Sequence, residues 1–181
     1  MRAPLTPVPV LLVTGPVGVG KTSVASEVSE LLDQAGVAHA LVDADSLRWC
    51  YPRPASDPFR VKLAMKNLAV WPNVQAAGAS RLVLVDVIEL RAELSRVAAA
   101  APGADVCVVR LRATADTLAA RVKQRETGLG RDRHLQRAVE LARRMEVAAV
   151  EDIVVDTDSR AIPDIASEIL MRSGWAAPIG G

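Results

Sequence analysis

The residues best suited to chemistry lie near the start of the chain. Gly15-Pro16-Val17-Gly18-Val19-Gly20-Lys21-Thr22, with Ser23 behind, fits G-x-x-x-x-G-K-[ST] at every fixed position. Glycines at these places let successive backbone N–H groups turn inward into a concave anion site that a Cβ would obstruct. The pattern predicts ATP as the anion. Lys21 then sets a point charge on the β- and γ-phosphates during transfer, and the Thr22 hydroxyl faces Mg²⁺. A glycine-rich strand-to-helix turn without a ligand is the alternative, and the flanks decide against it. Val8-Pro9-Val10-Leu11-Leu12-Val13 is a continuous apolar run of the kind buried on both faces of a parallel sheet. Val24, Val28, Leu31 and Leu32 then recur at helical spacing until Gly36. Polyphosphate would sit at that helix's N-terminus, where free N–H groups and the dipole favour anions.

A second group of candidates follows the apolar stretch Ala38-His39-Ala40-Leu41-Val42. Ligands of open α/β sheets gather outside the carboxyl ends of the strands, and Asp43 and Asp45 stand there. A carboxylate so placed can take the proton of an incoming hydroxyl and hold it in line with the γ-phosphate. We assign that role to Asp45, with Arg48 as a contact for an anionic group of the acceptor; Asp43 can share the role. A turn or helix cap is the plainer reading of either aspartate. Asp86 ends another apolar run, Arg81-Leu82-Val83-Leu84-Val85, and matches the Walker B pattern of a carboxylate near Mg²⁺. Capping is equally open to it. Arg121 and Arg125 lie four apart on one helix face, and Arg131 and Arg133 follow Gly128 and Gly130. This segment, 121–133, is expected to be a lid that brings Arg121 to the nucleotide and Arg125 to the transferring phosphoryl group. A solvated basic face laced with Glu126, Glu140 and Glu146 is the alternative.

The elements that must position these groups alternate along the chain. Beyond the first strand, first helix and second strand, Tyr51-Pro52-Arg53-Pro54 and Asp57-Pro58 form a loop that cannot be continuous helix. Helix is expected from about 59 towards 78, irregular at Trp71-Pro72, then the third strand at Arg81 to Asp86. Helix 89–101 ends at Pro102-Gly103, Asp105-Val106-Cys107-Val108-Val109-Arg110-Leu111 is a fourth strand, and helices follow over 114–126 and 133–150. Asp152-Ile153-Val154-Val155-Asp156 is the fifth strand and 163–171 a closing helix. The tail, 173–181, should fray, with Trp175 able to tether it. Strands alternating with helices imply a three-layer α/β P-loop NTPase fold, a five-stranded parallel sheet with a small helical lid, in one domain over 1–181.

Composition removes several classes. The net charge of +1 gives no general pull towards nucleic acid or anionic membrane. Cys50 and Cys107 are far apart, His39 and His134 are isolated, and no zinc spacing is present. The first nine residues lack a separate apolar signal region, and no run reaches membrane-spanning length, so a cytoplasmic protein is expected. A guanine-reading N-K-x-D and an L-S-G-G-Q-like signature are both absent.

Asp43-Ala44-Asp45-Ser46-Leu47-Arg48 resembles the D-G-D-N-[VI]-R element of adenylylsulfate kinases, and Arg60 and Asn67 are spaced much like that family's R-x-x-N-[IL] helix. This likeness spans about 10–75. The general layout resembles the shikimate/gluconate kinase and chloramphenicol phosphotransferase group over nearly the whole chain. Ala44 replaces the family's usual glycine, Val85-Asp86-Val87-Ile88-Glu89 replaces an I-S-P-like pattern, and a later D-P-K-G-L-Y-like segment is missing. The resemblance implies transfer of the γ-phosphate of ATP to a hydroxyl of a small molecule, with Mg²⁺, and places Asp43, Asp45, Arg48, Arg60 and Asn67 on the substrate side. Thr157-Asp158-Ser159-Arg160 resembles the loop that holds adenine in related kinases.

Three alternatives stay open: an antibiotic or nucleoside phosphotransferase of the same fold, a nucleic-acid-processing protein such as a polynucleotide kinase, and a non-catalytic nucleotide-binding regulator. The chain has five aromatic residues, of which Trp49, Tyr51 and Phe59 fall together beside the substrate-side carboxylates. They either stack on a planar acceptor or pack the proline-rich loop.

Overall fold

The computed structural model describes residues 7–69, 71–125 and 131–175; of Arg125 and of 131–134 it describes the backbone alone. Apolar runs form five strands, β1 (Val8–Thr14), β2 (His39–Asp43), β3 (Arg81–Val85), β4 (Ala104–Arg112) and β5 (Ile153–Asp156). All pair in parallel, in the order β2-β3-β1-β4-β5. β1 lies at the centre, with Leu12 opposite Leu84 of β3 on one side and Val108 of β4 on the other.

Because successive side chains point to opposite faces, β1 feeds two cores. Leu11 and Val13 join Val83, Val85, Val109 and Leu111 beneath α1 (Lys21–Gln34), α6 (Ala115–Arg125) and α8 (Ile162–Arg172). Val10 and Leu12 join Leu82, Leu84 and Val108 beneath α3 (Val61–Leu68), α4 (Trp71–Ala76) and α5 (Leu94–Ala100). The three layers follow from that alternation.

Three local features differ from the sequence expectation. A short helix, α2 (Ala44–Leu47), follows β2 directly, because Asp43 is its N-cap and Oδ1 accepts from Asp45 N at 2.9 Å. Four residues are too few to show a helical period. The helix expected over 59–78 is two helices, and Pro72 sits in the first turn of α4, where a missing N–H costs nothing. The stretch after β3 stays extended instead of starting a helix at 89, since Glu93 Oε2 accepts from Glu89 N and Leu90 N at 2.7 and 3.0 Å. A 3-10 turn at Arg91–Glu93 leads from there into α5. At the far end α7 (Arg131–Ala148) precedes β5, and Trp175 packs into the first core at 6% exposure. The lid expected over 121–133 lies in part outside the described residues, as do 176–181 of the tail.

Candidate active site

The loop between β1 and α1 has the shape that its glycines allow. Gly15 has φ +146°, and a Cβ there would lie 2.7 Å from the carbonyl oxygen of Leu111 in β4. Gly18, at φ +83°, approaches α6 so closely that a Cβ would meet Val122 Cγ2 at 2.8 Å. These are close approaches of backbone to neighbouring elements, which is why glycine is required. Lys21 opens α1 and folds back along the loop, its Nζ donating to the carbonyl oxygens of Gly15 and Pro16 at 2.9 and 3.1 Å. A pocket of about 130 Å³ lies against the loop, bordered by Gly18, Gly20, Lys21, Thr22, Asp45 and Val87. Pro16, Val17, Val19 and Ser23 complete the loop; Val19 is a buried anchor, while Val17 and Ser23 reach the pocket wall.

The carboxylates divide into separate tasks. Thr22 Oγ1 donates to Asp43 Oδ2 at 2.8 Å, which orients the hydroxyl and leaves its lone pairs for a cation. Asp45, the second residue of α2, has a side chain 69% exposed at the pocket wall. Arg48 closes α2 with Nε 3.2 Å from Ala44 O and 3.3 Å from Asp45 Oδ1. Its other arm reaches Asp86 Oδ1 at 2.7 Å. Asp86 is buried at the end of β3 and also accepts from Val87 N at 2.8 Å. Burial pushes the Asp86 carboxyl above the usual carboxylate range, with Arg48 pulling against it. The sequence left Asp86 open between Mg²⁺ and a cap and placed Arg48 at an acceptor anion; in the structure the Asp86 and Arg48 side chains pair with each other, and Asp43 is the carboxylate that meets Thr22.

Arg60, the N-cap of α3, and Asn67 within it tie that helix to the end of α2 and the segment after it. Arg60 Nη1 donates to Cys50 O at 3.3 Å, and Asn67 Nδ2 to Leu47 O at 2.7 Å. On the opposite flank of α1 a cavity of about 470 Å³ opens between Gly20, Arg121, Gln124, Thr157, Arg160 and Ile162. It shares Gly20 and Ser23 with the loop pocket, so the two spaces adjoin. Arg121 stitches its wall: Nη1 donates to Val19 O and Thr157 Oγ1, each at 3.0 Å, and Nη2 to Thr157 O at 2.9 Å. Asp158 accepts from Thr114 N and Oγ1, fixing the turn after β5 against the start of α6. The side chains of Arg125, Arg131 and Arg133, expected in the lid, lie outside the described residues.

No family model matches the sequence, and no curated protein does. Solved structures do. The tunicamycin resistance protein of Deinococcus radiodurans aligns at TM-score 0.65 and 20% identity, over 94% of this chain and 99% of its own. A sugar kinase from a Janibacter species aligns at TM-score 0.64 and 20% identity, over 91% of this chain and 94% of its own. The Mycobacterium tuberculosis APS kinase, solved with AMPPNP and APS, aligns at 0.56 and 24% identity, over 92% and 98%. The chain shares the fold of these three proteins, a parallel α/β sheet flanked by helices. Both cavities lie where such a sheet gathers ligands, beyond the carboxyl ends of its strands.

Sequence reasoning found the loop and the carboxylates but missed other wall residues. Val87 reaches the pocket because Thr14 Oγ1 accepts from Ile88 N at 3.0 Å, pulling the exit of β3 against β1. Gln124, Ile162 and Ile165 reach the larger cavity from two helices far apart in sequence. No local pattern marks them. Among the described residues no helix is long and apolar enough to cross a membrane, and no group of three or more His, Cys, Asp or Glu could hold a metal.

Proposed function

We propose that this chain is an ATP- and Mg²⁺-dependent phosphotransferase that moves the γ-phosphate to a hydroxyl of a small molecule. The observation that carries the reading is the division of labour on α2: Asp43 is engaged by Thr22, while Asp45 stands exposed on the same pocket wall. Mg²⁺ keeps most of its shell as water and phosphate oxygen, so a site with few protein ligands fits it. Thr22 supplies the protein oxygen and Asp43 holds that hydroxyl in place. Lys21 neutralises the β- and γ-phosphates, and Arg125, next along α6, is assigned to the transferring group. Asp45 orients the acceptor hydroxyl and takes its proton as the O–P bond forms and ADP departs. Because such transition states are loose, positioning is the larger part of that contribution. Arg121 shapes the nucleoside cavity through Val19 and Thr157. Arg48, Arg60 and Asn67 hold the acceptor side in register, a layout in keeping with the adenylylsulfate kinase-like run at 43–48.

The test is acceptor-dependent ADP release across APS, gluconate, shikimate, nucleosides and hydroxyl-bearing antibiotics. Asp45→Asn should lower transfer to the active acceptor by about 10²-fold or more, the scale of positioning and proton acceptance, with Mg·ATP affinity little changed. Tight Mg·ATP binding with no acceptor-dependent release would mark a nucleotide-binding regulator instead. Loss of Mg·ATP binding in Asp45→Asn would move that residue to the metal.

A further inference from the structure

The helices α3 and α5 both cover the second core, through Leu68 of one and Val97 and Ala100 of the other. Between them runs a groove of about 390 Å³, bordered by Lys62, Met65, Lys66 and Ala69 on one side and by Arg96, Ala99 and Ala100 on the other. It shares no residue with the loop pocket or with the cavity beside Arg121. Its floor is Met65 and three alanines; small side chains on neighbouring helices leave a trough that larger ones would fill. The polar side chains at its edge are all cations.

The two lysines stand where α3 by itself disfavours them. Lys62 is the second residue of the helix, at the end whose dipole favours anions. Lys66 follows four residues later on the same face, a spacing at which like charges repel. The nearest carboxylate in sequence, Asp57, is occupied with Val61 N and Leu63 N, and neither ammonium group has a hydrogen-bond or ion-pair partner among the described residues. Arg96 engages Glu93, whose other oxygen already accepts from Glu89 N and Leu90 N. The edge therefore keeps a net positive charge over an apolar floor. Seven bordering residues are far fewer than the roughly 20–30 a side of a stable protein interface, and the volume suits a small organic ligand.

We propose that the groove between α3 and α5 is a second binding site, for a soluble amphiphilic anion: a carboxylate on a hydrocarbon body of medium length. The body lies along Met65, Ala69, Ala99 and Ala100, and the head is held by Lys62, Lys66 and Arg96. The site is independent of phosphoryl transfer, since no group of the phosphate loop takes part.

Calorimetric titration with octanoate and decanoate, both below micelle formation and with Mg·AMPPNP filling the loop pocket, tests it. Decanoate should bind once per chain with a Kd of about 1 mM or less, and octanoate about 4- to 15-fold more weakly, the scale of two methylenes half to fully buried. Acetate, a head without a body, and octylammonium, a body with the opposite charge, should not bind. In the labelled protein, decanoate should shift the amide resonances of Met65, Ala69 and Ala99. Replacing both lysines, Lys62→Gln with Lys66→Gln, should weaken decanoate about 5- to 30-fold, the scale of two exposed charge contacts. Ala99→Phe, a filling change at an exposed helical position, should abolish binding and leave Mg·AMPPNP affinity unchanged. Decanoate binding that survives both variants, equal binding of octylammonium, or no saturable binding overturns the proposal. So does a dimer in sedimentation that Ala99→Phe splits, for then a second copy of the chain covers the groove.

Discussion

Replacing Asp43 with Asn tests the metal-side geometry most directly, since the two oxygens of Asp43 do different work. Oδ2 accepts from the Thr22 hydroxyl at 2.8 Å, and Oδ1 accepts from Asp45 N at 2.9 Å as the cap of α2. Asn has one acceptor oxygen and one donor nitrogen, so it can satisfy only one of these. Asn is as good an N-cap as Asp, and the cap is retained. The amide nitrogen then faces Thr22 Oγ1 and donates to it, which occupies a lone pair the cation needs. The loss of stability should be about 1 kcal/mol, one hydrogen bond in a partly exposed setting. The loss at the metal is larger, because partners that orient a metal ligand are worth about 10- to 100-fold in metal affinity or activity. Calorimetric titration with AMPPNP, with Mg²⁺ and then with EDTA, separates the two. Asp43→Asn should weaken Mg·AMPPNP binding by about 10- to 100-fold and metal-free binding by little. A folded variant that binds Mg·AMPPNP as the parent does would refute the assignment and return the metal-side carboxylate to Asp86.

Arg48→Ala should destabilise the fold by about 3 kcal/mol in urea titrations at pH 7, since it strands the buried Asp86 carboxylate without its cation. Asp86 already titrates above the usual range because of burial, so the stability tied to its protonated form is present below its unfolded pKa and is lost as pH rises through the folded one. The deficit in Arg48→Ala should therefore shrink on acidification, and a deficit independent of pH would show that the pair is not responsible. Glu168→Gln has the opposite sign. Glu168 accepts from Arg172 at 2.8 Å and pairs with Arg160 at 2.7 Å, and these partners, Arg172 foremost, hold its carboxyl below the usual range. Its stabilisation, about 1 kcal/mol, is present above an unfolded pKa of about 4.3 and is lost as pH falls through the folded value. Thermal melts of parent and variant should differ at pH 7 and converge near pH 3; a gap that stays constant would refute it.

The phosphate loop was legible because its chemistry is written in consecutive residues. Gly15, Gly18 and Gly20 sit where backbone must come close or turn left-handed, and Lys21 and Thr22 follow at once on the first turn of α1. The strands were legible for a related reason: parallel strands buried on both faces read as unbroken apolar runs, as in Val10-Leu11-Leu12-Val13. α2 was not, because its four residues are made helical by one side-chain cap and not by any period.

What the chain's neighbours in sequence determined, then, was the strands and the longer helices, the candidate anion loop and the candidate carboxylates. The tertiary structure alone decided how those carboxylates divide. Asp43, Asp45 and Asp86 all close strands or follow them, and nothing local says which meets Thr22, or that Arg48 reaches Asp86 as well as its near neighbour Asp45. That depends on strand order: with β3 between β2 and β1, Asp86 faces the end of α2, 38 residues away from Arg48 in sequence. Arg121 reaches Val19 across 102 residues for the same reason, since β4 lies beside β1 and delivers α6 to the loop. Backbone geometry and hydrophobic period act between residues a few places apart, while hydrogen bonds and ion pairs form between whichever side chains the packed sheet brings within 3 Å or so of one another.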